Sequence, residues 1–319
     1  MAGPPGLMLR HRGASKRVAA RREVVLCGGA INRPQLLQLS GIGDGAMLAA
    51  ACVTPLVDAP GVGRNLQDHL GLYLTYACNP PVTLYRLFRP DHAALALARA
   101  ALFGTGPATA VPLEAGGILK THPDLAEPDI HITFVPGLGL ETTRKGQGQH
   151  FYLINFYQLR PASHGEVAIT SPDPATTPRI DPRYLTDAGD LACLRACLRA
   201  GMVLARAIGE TPALLGFKAR DLSLVPDDFR DDAAMDRWIR AGANTIFHPV
   251  GTARMGADAG SVVDPDLRVR GGRGLRVADA SVMPRIIGGN TSAPCMMIAE
   301  KAADLMLGRP PLPRDGIVG

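Results

Sequence analysis

The chain has 319 residues, 46% of them hydrophobic and 20% charged, with a formal net charge of +5, which is enough apolar material for two domains or one elaborated one. Aromatic residues make up only 5% of the chain and do not interleave with the basic residues, which excludes a base-stacking nucleic-acid platform. No uncharged apolar run is long enough for a transmembrane segment, and the six scattered cysteines form no Cys-x-x-Cys pair. The chain therefore reads as a reduced, cytoplasmic globular protein with no metal site, leaving peripheral membrane contact open.

The positive charge is concentrated at the start, where Arg10, Arg12, Lys16, Arg17, Arg21 and Arg22 precede the first acid, Glu23. Because these charges sit against an apolar strand at Val24, they read as a solvated strand or hairpin in preference to a targeting segment or a nucleic-acid arm. From Glu23, EVVLCGGA is a short strand ending in Gly28 and Gly29, and INRPQLLQLSG continues as a helix. Strand, glycine turn and helix is the order of an α/β nucleotide-binding layer, and the two glycines would let backbone approach a ligand closely. PGVGRNL, over 60–66, begins like a dinucleotide fingerprint, but Leu66 stands where a glycine is needed and no clear strand leads into it.

Residues 70–88 read as a strand and a turn at Asn79–Pro81, and HAALALARAALFG is a short helix stopped by Gly104. DIHITFVP, HFYLINFYQLRP and HGEVAITSPDP follow as strands, the first two joined by a loop over 138–149. A mostly antiparallel sheet is the consequence. Asp181 and Pro182 are expected to open a helix through Ile208, in which Cys193 and Cys197 pack one turn apart. A second helix is expected to start at Pro226 and to carry Trp238. His131, His150 and His164 lie in or beside strands without ligand partners at metal spacing, and so belong to sheet packing or surface. The end of the chain returns to α/β grammar: a strand over Leu275–Ala278 ends in Asp279, and TSAPCMMIAEKAADLML is a helix behind a Gly-Gly-Asn turn. Such a helix start presents free N–H groups and a positive dipole end.

The chemistry centres on His248, held between an apolar run and Pro249, and on Asn290 in the glycine turn. Pro249 restricts the histidine backbone to extended conformations, so a rigid loop presents an imidazole suited to proton abstraction. Gly-x-Ser-x-Gly and His-Glu-x-x-His are both missing, which removes serine hydrolases and zinc proteases of those patterns.

Five segments in order, CGGAINRPQLLQLSGIG, PGVGRNLQDH, HPVGTARMG, LRVADASVMP and GGNTSAPCMMIAEKAADLM, resemble the glucose-methanol-choline (GMC) oxidoreductases. HPVG and GNTSAP are closest to the choline dehydrogenase-like branch. The resemblance implies an FAD enzyme that takes hydride from the carbon of a small-molecule alcohol to flavin N5 and passes the electrons to an acceptor the sequence does not identify. His248 matches the family's catalytic histidine, base toward the substrate hydroxyl, and Asn290 matches the partner on the same oxygen. Gly28, Gly29, Asp279, Ala280 and Thr291 match positions around the cofactor. For Asp279 the commoner fate of an aspartate after a strand, a turn or helix cap, stays open.

The fold class expected is α/β, α+β overall: a partial FAD-binding Rossmann-like layer over 1–70, a mostly antiparallel substrate domain with helices over 71–240, a returning FAD-domain and catalytic segment over 241–307, and a disordered tail over 308–319. The family's Gly-x-Gly-x-x-Gly segment does not occur in the sequence. On the order of 200 residues of a domain are thereby expected to be missing, and a complementing N-terminal chain becomes an expected partner. The alternative is a non-catalytic remnant or interaction protein that keeps the motifs without binding flavin.

Overall fold

The computed structural model describes residues 6–109, 113, 115–137, 150–209, 211–222, 226 and 230–310. The loop expected over 138–149 and residues 311–319 of the tail lie outside the described residues. The chain folds into two compact units: Met1–Asp68 with Ala162–Thr186 and Phe247–Gly319, and His69–Pro161 with Asp187–Ile246.

In the first unit the basic arm is an antiparallel hairpin of β1 (Gly6–His11) and β2 (Ala14–Ala19), exposed at every position. Arg12 and Gly13 between them have φ of 49° and 79°, the double left-handed step that two-residue hairpins need. β3 (Val24–Leu26) pairs in parallel with β15 (Leu275–Val277), Val24 opposite Leu275 and Leu26 opposite Val277. Helix α1 (Gly29–Leu39) follows β3 directly. The first and last parts of the chain are thus neighbours in one layer. Leu26, Leu37, Val250, Val263, Val277, Val282 and Ile298 belong to one buried cluster of this unit. A small antiparallel sheet of β6 (Arg64–Leu66), β11 (Gly165–Ala168) and β12 (Arg179–Asp181) completes it. The buried Gln38 side chain of α1 donates to the Val167 carbonyl at 2.9 Å and accepts the Ile169 N–H at 2.9 Å, so it satisfies backbone groups beside that sheet.

Asp181 ends β12, and the helix expected from it starts instead at Ala188. Arg183 and Leu185 take left-handed φ of 51° and 59°, which interrupts any right-handed turn there. Asp187 then supplies a carboxylate oxygen to the Gly189 N–H at 2.7 Å, as a residue preceding a helix does.

The second unit is built on an antiparallel sheet in the order Lys218–Asp221, Leu70–Cys78, Phe151–Gln158, Ile130–Val135, Ala115–Leu119, with Asn244–Thr245 also paired to Leu70–Cys78. The central strand Phe151–Gln158 is buried at every position. The long helix Ala188–Gly209 packs on the sheet through Gly201, where an added Cβ would come within 3.1 Å of the Phe156 ring. Gln158 of the same strand donates to Asp190 of the helix at 2.6 Å. The alternate residues of the strand face the other way. There the Tyr157 hydroxyl meets His131 Nδ1 at 2.5 Å; burial lowers the His131 pKa and pushes the Tyr157 phenol up to about 12. His150 is bonded to Thr83, and in the first unit His164 is bonded to the Ala162 carbonyl, so each has a local partner.

A helix spans Pro90–Phe103 and ends on Gly104 at φ 63°. The helix expected to begin at Pro226 begins at Asp232, because Asp231 is the residue whose carboxylate accepts the Ala233 and Ala234 N–H groups. Cys193 and Cys197 bring their sulfurs to 3.9 Å within one helix, and all six cysteines are free. Among the described residues no helix is long and apolar enough to cross a membrane, and no group of three or more His, Cys, Asp or Glu could hold a metal ion.

Candidate functional site

Every candidate catalytic or cofactor-binding residue named from the sequence lies in the first unit, on two turns, the His248 loop and the segment before the last helix. The first turn joins β3 to α1. Gly28 precedes the helix, and Gly29 has φ of 74°, a conformation that favours glycine; an added Cβ there would point into open space with nothing within 4 Å. The second turn follows β15, where Asp279 precedes a short 3-10 turn, Ala280–Val282.

Parallel pairing of β3 and β15 sets these turns side by side, and Asp279 bolts them together. One of its oxygens, Oδ2, accepts the Gly29 N–H at 2.9 Å and is bonded to the Arg33 guanidinium of α1. The other, Oδ1, accepts the Ser281 N–H at 2.9 Å and the Ser281 hydroxyl at 2.6 Å. Asp279 is therefore both a cap and an ion-pair partner. Its carboxylate is fully occupied, so any contact with a ligand at this turn falls to the backbone. Arg33 is only 1% exposed; burial lowers its pKa, and Asp279 opposes that shift. The guanidinium Nε has no partner. In the sequence Arg33 reads as one polar residue in a helix, and nothing local marks it as a buried cation 246 residues from its counter-ion.

His248 sits on a loop held from three sides. Its N–H donates to Asp68 Oδ1 at 2.8 Å, and the other Asp68 oxygen accepts the Tyr184 hydroxyl at 2.5 Å. Asp68 is 7% exposed. Phe247, immediately before the histidine, has φ of 63°, a left-handed conformation that costs a non-glycine residue about 1 kcal/mol or more and persists only where its surroundings enforce it. Beyond the histidine, Val250 and Gln67 exchange backbone hydrogen bonds at 2.8 and 3.1 Å. Gly251, at φ 93°, lies so close to Asn65 that an added Cβ would come within 2.3 Å of the Asn65 carbonyl oxygen.

The same loop is stitched to the second turn and to the segment leading to Asn290. Gly251 N–H donates to the Ala280 carbonyl at 3.3 Å, and Ala253 N–H donates to Ser281 at 2.8 Å. The buried Gln67 side chain donates to the Pro284 carbonyl at 3.1 Å and accepts the Ile286 N–H at 3.2 Å. Asn65 also donates to Pro284, at 3.2 Å. A continuous run of hydrogen bonds therefore connects Gly29, Asp279, Ser281, Ala253 and the His248 loop.

Asn290 is exposed, and Thr291 precedes the last helix, Ser292–Leu307, without a side-chain hydrogen bond to its first turn. That start carries exposed Met296 and Met297. Cys295, in the first turn, lies against the Ala280 backbone and beside Asp279; burial first, and Asp279 second, push its thiol up, so it remains a protonated packing group. The residues that the sequence did not assign are positioning residues: Asp68, Tyr184, Gln67, Asn65 and Arg33. Asp68 and Gln67 are visible in NLQDH, but their partners lie more than a hundred residues away along the chain.

Two family models, both described as GMC oxidoreductase, match residues 6–71 and 161–299. The oxygen-dependent choline dehydrogenase of Pseudomonas fluorescens is 41% identical over 304 residues, covering 94% of this chain and 53% of that protein. Among solved structures, pyridoxine 4-oxidase from Mesorbium loti superposes with a TM-score of 0.79 at 31% identity, over 98% of this chain and 56% of that one. A formate oxidase of Aspergillus oryzae, studied for modification of its FAD, superposes with a TM-score of 0.82 at 25% identity, over 95% of this chain and 57% of that one. The chain spans about half the length of the curated relatives it matches.

Proposed function

The chain belongs to the GMC oxidoreductase family, and from that premise we propose that it carries the proton-handling part of an FAD-dependent oxidation of an alcohol CH–OH group, choline or a close analogue being the first substrate to try. The observation that carries this reading is the immobilised His248 loop, clamped by Asp68 and hydrogen-bonded to the Asp279–Val282 turn.

The residues present fit one side of the cofactor. Open space beside Gly29, backbone at Asp279 and Ala280, and the uncapped start of the last helix at Thr291 would hold parts of FAD. When bound, FAD supplies the hydride acceptor. No Gly-x-Gly-x-x-Gly occurs in these 319 residues, so the pyrophosphate cradle has to come from residues outside them, on the same polypeptide or on a complementing chain.

His248 takes the substrate hydroxyl proton onto its imidazole as the C–H bond is broken, and Asn290 donates to the same oxygen, fixing the carbinol carbon. Asp68 fixes the backbone from which the imidazole hangs, with Tyr184 fixing Asp68 in turn. Specificity for the alcohol is assigned to the second unit.

Purification of the full protein, followed by anaerobic addition of choline, tests the proposal. Bound flavin absorbance that bleaches on addition supports it. Protein without flavin, when expressed with every segment of its own gene product, would favour the reading in which the motifs persist without catalysis.

A further inference from the structure

The cysteines take no part in the proposed chemistry, and two of them lie in contact in the second unit. The helix Ala188–Gly209 brings Cys193 Sγ to 3.9 Å from Cys197 Sγ, and Cys193 Sγ also faces Asp129 Oδ2 at 4.0 Å. That carboxylate is fixed in turn by the Thr121 N–H at 2.8 Å and the Thr121 hydroxyl at 2.5 Å. Cys193 is half-buried and Cys197 is fully buried, so a small oxidant meets Cys193 first.

The two sulfurs are not equivalent. The Cys197 thiol donates to Cys193, which lowers the Cys193 pKa against burial and the charges of Asp129 and Asp190. The same bond, together with burial, holds Cys197 protonated well above the ordinary thiol range. That asymmetry makes Cys193 the nucleophile and Cys197 the thiol that follows it.

The pair sits between the two anchors of the helix on the central strand. Asp190, one turn before, accepts from Gln158 at 2.6 Å, and Gly201, one turn after, packs against Phe156. On the flank, Arg195 meets Asp236 at 2.9 Å, and Arg199 is paired with Asp232 of the helix Asp232–Gly242. A disulfide needs an S–S distance of about 2.05 Å and Cβ atoms about 3.8 Å apart, whereas residues one turn apart on a helix hold their Cβ atoms about 5–6 Å apart. Bridging therefore opens the turn between the two anchors and strains the bond formed. A strained disulfide is readily reduced again.

We propose that Cys193 and Cys197 form a peroxide-sensitive dithiol whose reversible bridging loosens this helix from the sheet. The Cys193 sulfur attacks one oxygen of hydrogen peroxide as its proton passes to Asp129. The O–O bond breaks, Cys193 becomes a sulfenic acid, and the other oxygen takes that proton and leaves as water. The Cys197 thiol then attacks the Cys193 sulfur, the S–O bond breaks and a second water leaves. Two thiols are thereby oxidised and one peroxide molecule is reduced.

This inference does not depend on the proposed alcohol oxidation, and peptide mapping of the full protein after treatment with hydrogen peroxide and alkylation tests it. A bridge between Cys193 and Cys197 is expected, with loss of two of the six free thiols and full recovery in dithiothreitol. Cys197→Ala should stop the reaction at a sulfenic acid on Cys193, trapped by dimedone, and Cys193→Ala should leave Cys197 reduced. Asp129→Asn, combined with Cys197→Ala, is expected to slow sulfenic acid formation at least about 10-fold. Amide exchange across Ala188–Gly209 should quicken at least about 10-fold in the bridged protein and return on reduction. Three results would overturn the proposal: exposed Cys27 and Cys52 oxidised to completion while Cys193 stays open to alkylation, oxidation as fast or faster in the Asp129→Asn protein, or a bridge that leaves exchange across the helix unchanged.

Discussion

Asp68→Ala removes one acceptor that serves two donors, the His248 N–H at 2.8 Å and the Tyr184 hydroxyl at 2.5 Å. Hydrogen bonds to a charged group contribute about 1.5–3 kcal/mol each, and both donors lose this acceptor at a site where Asp68 is 7% exposed. The first unit is therefore expected to lose about 3–5 kcal/mol, read as a lower urea midpoint at unchanged slope. The left-handed Phe247 is no longer enforced, so the loop relaxes and His248 shifts. A displacement on the order of 1 Å costs about 100-fold in rate. Asp68→Asn keeps the shape and one acceptor oxygen, and should fall between wild type and Ala in both stability and rate of flavin reduction. Tyr184→Phe removes one of the two bonds, about 1–2 kcal/mol, and combined with Asp68→Ala it should add little, since both act through the same carboxylate. Flavin content should be unchanged in all of these variants. If Asp68→Ala unfolds at the wild-type urea midpoint and reduces flavin within about twofold of wild type, the clamp has no role in placing His248.

The Asp279–Arg33 pair should behave as a buried ion pair does when one partner is removed. Asp279→Ala is expected to cost about 3–5 kcal/mol, measured by urea unfolding, and to weaken flavin retention because it also frees the Gly29 N–H; a loss under about 1 kcal/mol would contradict that role. Gly251→Ala places a Cβ 2.3 Å from the Asn65 carbonyl at a φ of 93°, and is expected to destabilise by at least about 2 kcal/mol and to slow turnover, whereas Gly104→Ala, at an open helix end, should leave turnover unchanged. The pH dependence of the second unit follows from His131, whose folded pKa lies below the ordinary 6.5. Between the folded value and 6.5 the unfolded chain binds the extra proton, so stability rises with pH across that window and is lost as pH falls from 6.5 toward the folded pKa. Hydrogen exchange in Ile130–Val135 is the readout, and protection independent of pH between 7 and 5 would argue against it.

Local pattern carried the strand–glycine–helix order around Gly28 and Gly29, because an apolar run, two glycines and an amphipathic stretch have few other solutions. It also carried the antiparallel sheet, since runs such as HFYLINFYQ are too β-rich and too apolar to sit elsewhere than at a sheet centre. Long-range partnership is what local pattern could not carry. Arg33 looks like a solvent residue of α1 until Asp279 arrives beside it through the parallel pairing of β3 with β15. Asp68 reads as a generic acid before His69, and its use as a clamp exists only because Phe247–His248 and Tyr184 fold back onto it. The helix expected at Asp181 starts later, at Ala188, for a related reason: Asp-Pro is a sound local signal for a helix N-terminus, but pairing of Arg179–Asp181 with Gly165–Ala168 holds Asp181 in a strand.

The central claim is that His248 handles the substrate proton, and a single-turnover measurement tests it most directly. In flavin-loaded protein mixed anaerobically with choline, His248→Ala is expected to slow flavin reduction by about 10²–10⁴-fold, the range for loss of a general base, with flavin content and urea midpoint as in wild type. Reduction within about threefold of wild type, in a variant that holds its flavin and its fold, would contradict the claim.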